Sequence, residues 1–191
     1  MTLMNSEPIS ATLRVTQLLE SLQVPYVIGG SMASTTYGRI RTTMDVDIVA
    51  DMKLVHVTPF VKSLQDEFYV DEQAVEKAIQ SRRSFNLIHL ETMFKVDIFV
   101  VKERPFDQQQ LSRRQLQMIG TNETDTAYVT SPEDTILAKL DWYRLGGEVS
   151  ERQWRDIQGI LEVSGSQLDE TYLREWARNL GVDDLLRRLL T

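Results

Sequence analysis

The run from Val24 to Ala50, VPYVIGGSMASTTYGRIRTTMDVDIVA, constrains this chain more than any other stretch, because it dictates a strand, a glycine turn, a short helix and a second strand in close succession. Tyr26, Val27 and Ile28 form a short apolar run with β-branched residues, and Gly29-Gly30 ends it where a tight turn points backbone N–H groups outward. Ser31 is placed to cap the helix that follows. A helix N-terminus behind a glycine turn favours an anion, since unsatisfied N–H groups and the helix dipole act together there. Asp45-Val46-Asp47 supplies the complementary half. Residues two apart on a strand share a face, so Asp45 and Asp47 point one way while Met44, Val46 and Ile48 point into the core. The two carboxylates stand roughly 6.5 to 7 Å apart at Cα, near enough to lean onto one cation or a metal pair. Left alone they repel each other, so a cation is expected between them.

An apolar strand, Gly-Gly-Ser, a spacer and Asp-x-Asp with apolar neighbours together resemble the nucleotidyltransferase superfamily that includes DNA polymerase beta. Thirteen residues separate Ser31 from Asp45, at the long end of that superfamily's spacing. The insert Tyr37-Gly38-Arg39-x-Arg41-Thr42-Thr43 resembles the branch holding abortive-infection (AbiEii-type) toxins and related bacterial proteins. So does Ser131-Pro132-Glu133-Asp134-x-x-x-x-Lys139-Leu140 followed by Arg155-Asp156. The likeness covers most of the chain, thinly between Met52 and Ser84. It implies an α+β fold: a mixed β-sheet of the nucleotidyltransferase type with flanking helices, a core over residues 1–130 and a C-terminal helical segment over 131–191 packed on it.

The resemblance also implies chemistry. A nucleoside triphosphate is attacked at its α-phosphorus by an acceptor hydroxyl and pyrophosphate leaves. Asp45 and Asp47 hold Mg2+ against the phosphates. Asp97, on the apolar strand Met93 to Val101, matches the third acid of the family and either shares a second Mg2+ or serves as base. Gly29, Gly30 and Ser31 fix the β- and γ-phosphates, Lys139 reaches the triphosphate, and Asp156 orients the acceptor or base. Local chemistry leaves alternatives open. Asp97 could pair with Lys95 or Arg41, and Arg39 and Arg41 read equally as a phosphate clamp or as solvated arginines.

Around this core, Ser10 to Leu22 has the apolar spacing of an amphipathic helix. Pro59 to Phe68 and Asp71 to Ser81 read as helices separated by Phe68-Tyr69-Val70. Ser84 to Leu90 and Met93 to Val101 read as strands joined by a two-residue turn at Glu91-Thr92. Gln115 to Ile119 and Ala127 to Thr130 read as edge strands. From Ser131 the texture is helical: a cap, a first-turn proline and acids open Thr135 to Leu145, Gly146-Gly147 stops it, and Ser150 to Val163, Gln167 to Leu180 and Asp183 to Leu190 follow. Trp142, Trp154 and Trp176 are read as packing residues, and His56 and His89 as structural or surface residues.

Zero cysteines exclude disulfides and thiolate metal sites, and two histidines do not make a zinc cluster. No apolar run approaches a membrane span and the N-terminus lacks the order of a secretory signal, which makes the cytoplasm the expected compartment. A net charge of −7 argues against broad nucleic-acid attachment, which needs a basic face, though Arg82-Arg83, Arg113-Arg114 and Arg187-Arg188 leave room for a local one. The acceptor therefore stays open among an RNA end such as a tRNA, a protein and a small molecule, and assembly as a homo-oligomer stays open with it. Two other readings compete: an idle nucleotide-binding module or toxin-system partner on the same fold, and an α/β phosphohydrolase using the same acids.

Overall fold

A computed structural model describes residues 6–39 and 45–190. The elements are α1 (Ser6–Ser21), β1 (Tyr26–Ile28), α2 (Gly30–Tyr37), β2 (Asp45–Ala50), α3 (Val57–Leu64), β3 (Phe68–Tyr69), α4 (Glu72–Ser81), β4 (Ser84–His89), β5 (Lys95–Val100), α5 (Pro105–Ser112), β6 (Gln115–Met118), β7 (Thr126–Val129), α6 (Pro132–Leu145), α7 (Glu151–Ser164), α8 (Glu170–Leu180) and α9 (Asp183–Leu190). Seven strands form one mixed sheet in the order β3-β4-β5-β2-β1-β7-β6. The β2–β5 and β1–β7 pairs are parallel and the rest antiparallel. No described helix is long and apolar enough to cross a membrane.

Strict alternation places β2 and β5 at the centre. Val46, Ile48 and Ala50 of β2 and Val96, Ile98 and Val100 of β5 are buried, and pack with Leu87, Phe60, Leu64 and the apolar stripe of α1 into the larger core. The opposite face carries the acids. A second apolar cluster, built from Ile136, Leu137 and Leu140 of α6, Ile157 and Ile160 of α7, Leu173 of α8 and Leu186 of α9, stands apart from the first, and Tyr37 packs against both. Gly38 permits the close approach of α2 to α7: a Cβ there would fall 3.0 Å from both the Gly159 carbonyl carbon and the Ile160 nitrogen.

Four local expectations are corrected. Ser31 is not the cap of α2; the cap lies two residues earlier, at Gly29, with no side-chain cap bond. Phe68-Tyr69, read as a spacer, pairs with the end of β4 as a short strand, and Phe68 is fully covered there. The β4–β5 connection runs from Leu90 to Phe94, not through two residues, because Met93 takes the positive φ (57°) and Phe94 returns to the core. Finally, β7 is an interior strand, not an edge: Ile28 pairs with Val129 in parallel, and the Thr130 amide donates to the Ile28 carbonyl at 3.0 Å.

The start of α6 is built as its sequence suggests. Ser131 Oγ accepts from the Asp134 amide at 3.1 Å and its side chain is fully buried. Around it, Glu133 takes the Arg113 guanidinium at 3.2 Å and the Asp169 amide at 3.0 Å, while Tyr172 donates to Asp134 at 2.6 Å. Burial nevertheless pushes the Asp134 carboxyl above its usual range, against the opposing hydrogen bonds from Tyr172 and Ser131. Ser131→Ala leaves a buried amide without its acceptor and should lower stability by about 1 kcal/mol, some 3 °C in Tm by thermal melting.

Candidate active-site cleft

The acidic face of the sheet is organised by strand register. Parallel pairing of β2 with β5 sets Asp47 opposite Asp97 and Asp45 opposite Lys95, with neighbouring strands about 4.8 Å apart. Antiparallel pairing of β1 with β2 then brings the glycine turn alongside, where the Gly29 amide donates to the Asp47 carbonyl at 2.9 Å. Gly30 sits at φ +58°, and a Cβ on it would lie 1.8 Å from Asp47 Oδ2. The Asp47 carboxylate therefore rests directly against the turn at the head of α2, in space that only glycine leaves free.

Charge is concentrated here. Burial, then the neighbouring Asp45 and Asp97, push the Asp47 carboxyl up to about 6, against the pull of Lys139 and Lys95. Lys95 holds Asp97 at 2.8 Å, one of the two ion pairs the sequence offered it. Hydrogen bonding to Asp97 in turn raises the Lys95 pKa. Among the described residues no three Asp, Glu or His side chains are gathered closely enough to hold an ion between them: the acids stand on adjacent strands, with one of them engaged by Lys95.

Helices α6 and α7 form the opposite wall. Lys139 and Asp156 are joined at 2.9 Å with both side chains largely buried. One turn before Asp156, Arg152 donates to Ser31 Oγ at 2.8 Å, which ties α7 to the first turn of α2. The walls enclose a cleft of about 640 Å³ that includes Gly29, Gly30, Ser31, Asp45, Asp47, Lys139, Arg152 and Asp156 among its lining. Residues singled out from the sequence thus share one cleft with Arg152, although they come from separate elements at both ends of the chain.

Other expectations separate. Arg39 is exposed and paired with Glu162 at 2.7 Å, outside the cleft lining. Arg41 lies outside the described residues. Trp154 and Trp176 pack against the C-terminal cluster as expected, but Trp142 does not: it is 53% exposed, lines the cleft and meets Phe99 edge-on at 6.3 Å. His56 and His89 serve local turns, through the Lys53 amide and Thr92. Sequence reasoning missed Arg152, whose only signal was its position four residues before Asp156 on one helix face. It also missed Lys102 and Arg104 on the rim.

No protein-family model and no curated protein matches the sequence. Solved structures do. An antigenic nucleotidyltransferase-like protein from Paracoccidioides brasiliensis aligns over 98% of this chain and 94% of its own with a TM-score of 0.60 and 20% identity. ANT(2″)-Ia in complex with adenylyl-2″-tobramycin aligns over 90% and 95%, with a TM-score of 0.59 and 12% identity. The lincosamide antibiotic adenylyltransferase LnuA, lincomycin-bound, aligns over 85% and 99%, with a TM-score of 0.52 and 16% identity. The chain accordingly has the mixed α+β nucleotidyltransferase fold.

Proposed function

We propose that the chain is a metal-dependent nucleotidyltransferase, moving a nucleoside monophosphate from a triphosphate to an acceptor hydroxyl. The observation that carries this reading is the seating of Asp47 on the glycine turn, with Asp45 beside it in an open cleft and Asp97, outside the cleft lining, in register with Asp47 across the β2–β5 pair. The donor set suits a hard divalent cation: carboxylate oxygens only, with a buried member whose charged form is disfavoured by its acidic neighbours. Asp45 and Asp47, joined by Asp97 once Lys95 releases it, would close on Mg2+, which when bound neutralises phosphate charge and acidifies the attacking hydroxyl.

The chain's own groups do the rest. First-turn amides of α2 with Ser31, Lys139 and Arg152 bind and orient the triphosphate, since a helix N-terminus flanked by cations holds phosphate oxygens well. Asp156 keeps Lys139 extended toward the cleft. Asp97 takes the proton as the acceptor oxygen bonds to the α-phosphorus and the bond to the departing pyrophosphate breaks. Arg41 stays in this proposal as a phosphate clamp on the strength of its guanidinium and its place in the sequence shortly before Asp45. So does kinship with abortive-infection toxins, which rests on the Tyr37–Thr43 insert and the Ser131–Asp134 helix start. Residues 1–130 supply the acids and the turn, and 131–191 the clamp.

The acceptor falls within RNA ends, proteins and small molecules. ANT(2″)-Ia and LnuA carry adenylyl-2″-tobramycin and lincomycin in their structures, and support transfer to small hydroxyl compounds as one member of that set. The test is to incubate the protein with each labelled triphosphate, Mg2+ and cell extract, and to identify by mass spectrometry what becomes tagged. Binding of a triphosphate without any tagged acceptor would favour the idle binding module, and free nucleotide alone the phosphohydrolase. Arg152→Ala should weaken triphosphate binding about tenfold, or about 1.4 kcal/mol, by calorimetry, with the fold unchanged by circular dichroism.

A further inference from the structure

The cleft does not end at the acids. Beyond Asp47 it continues along Val49 and Phe99 to a rim formed by Arg82, Arg83, Lys102 and Arg104, with Trp142 opposite. Phe99 pairs with Val49, two residues past Asp47, so this end begins roughly 7 Å along the sheet from the reacting centre. Trp142 stands three residues after Lys139 on α6, which puts both on one helix face with Trp142 turned toward the rim.

The rim is cationic in an otherwise acidic chain. Val100 donates to the Arg83 carbonyl at 3.0 Å, which fixes Arg83 at the end of β5. Arg82 closes α4 in the left-handed conformation (φ +48°), and its guanidinium is tied to the Val101 carbonyl at 2.9 Å and to Glu103 at 2.7 Å. Arg83 and Lys102 are exposed and form no ion pair among the described residues. Of the carboxylates at this end, the buried Asp107 and Asp141 line the cleft and Arg104 occupies both, at 2.8 and 2.9 Å, while the exposed Glu103 is held by Arg82. Arg83 and Lys102 are thus displayed to a ligand while the acids around them are already paired with other arginines, beside an exposed indole braced by Phe99.

We propose that this end of the cleft seats an acceptor of nucleic-acid chemistry, a single strand whose phosphates meet Arg83 and Lys102 and whose base lies on Trp142. The inference rests on the nucleotidyl-transfer reading above and narrows its acceptor. Cations alternating with an exposed aromatic suit a strand with repeating phosphates and flat bases, because the charges track the backbone while the ring stacks whichever base arrives. A polycationic acceptor meets the opposite arrangement, with like charges in front and the carboxylates there already held by Arg82 and Arg104. An acidic peptide would satisfy the cations and leave the indole without a planar partner.

The experiment measures binding to the intact chain without any triphosphate. A 5′-labelled ten-residue oligoribonucleotide with a free 3′-hydroxyl is titrated by fluorescence anisotropy, with tobramycin and a poly-glutamate peptide as competitors. Triphosphate binding is followed separately by calorimetry with ATP. Arg83→Glu/Lys102→Glu should weaken the oligonucleotide at least tenfold and flatten its salt dependence, and Trp142→Ala should weaken it about tenfold, with ATP affinity unchanged in both. Arg83→Gln/Lys102→Gln provides a milder check on folding and should show an intermediate loss. Equal oligonucleotide affinity across these proteins overturns the proposal. So does a matching loss of ATP affinity, which would give this rim to the donor, or displacement of the oligonucleotide by tobramycin. Displacement by poly-glutamate with no effect of Trp142→Ala gives the rim to an acidic protein. Failure of the wild type to bind ATP while the oligonucleotide pattern holds would refute nucleotidyl transfer and leave the binding site standing.

Discussion

Asp47→Asn is expected to abolish nucleotidyl transfer, by on the order of 10³-fold, and at the same time to make the protein more resistant to unfolding when divalent metal is withheld. The two effects share a cause. Asp47 has its carboxyl raised from 3.8 to about 6, first by burial and then by Asp45 and Asp97. Between those values the folded chain keeps a proton that the unfolded chain has released. Stability therefore falls as pH rises through this window, and above it the charged carboxylate carries a penalty of up to about 3 kcal/mol, reduced where solvent reaches the cleft. An uncharged amide of the same shape removes the penalty. Melted in chelator, wild type and Asp47→Asn should coincide near pH 3.5 and separate by several degrees at pH 7, with the variant the more stable. Added Mg2+ should raise the wild-type Tm and leave the variant's unchanged, since a ligand stabilises only the state that binds it. A variant that is less stable than wild type at pH 7, or one that still transfers, would refute the charge argument.

Much of this arrangement is legible in the amino-acid sequence, for reasons of locality. The turn, the helix after it and the alternation of β2 are all written within 27 consecutive residues, Val24 to Ala50, and the placement of Asp97 beside Asp47 follows from one further strand with an acid on its polar face. What escapes a sequence reading is set by distant pairing. The parallel contact of Ile28 with Val129 spans about a hundred residues and has no local signature, so β7 reads as an edge. A two-residue strand such as β3 gives too short a run for alternation to register. Trp142 sits at an apolar helical position, and periodicity alone counts it as core; only the gap between α6 and the sheet exposes it. Arg152, Lys102 and Arg104 are invisible for the same reason, and Arg82-Arg83 shows only as a basic doublet, since their role depends on which wall faces which.

Gly30→Ala should be the most damaging change at the turn, and Gly29→Ala close to neutral for stability, although the two glycines are adjacent. At Gly29, φ is −119° and an added Cβ meets nothing within 4 Å. At Gly30 two penalties combine. The left-handed backbone (φ +58°) disfavours any L side chain by about 1–2 kcal/mol. The new Cβ would also fall 1.8 Å from Oδ2, 2.8 Å from Cγ and 3.0 Å from Cβ of Asp47, so the carboxylate must swing off the turn. Together these should cost about 2–4 kcal/mol of stability and reduce transfer on the order of 100-fold, because the acid and the phosphate-binding amides lose their common geometry. A double-mutant cycle separates the terms. In an Asp47→Gly background the collision has no target, so Gly30→Ala should then lose only the backbone share, and the coupling measured by urea unfolding should be about 1–2 kcal/mol. Strictly additive losses would mean that Asp47 does not rest on Gly30, and that the glycine serves the turn alone.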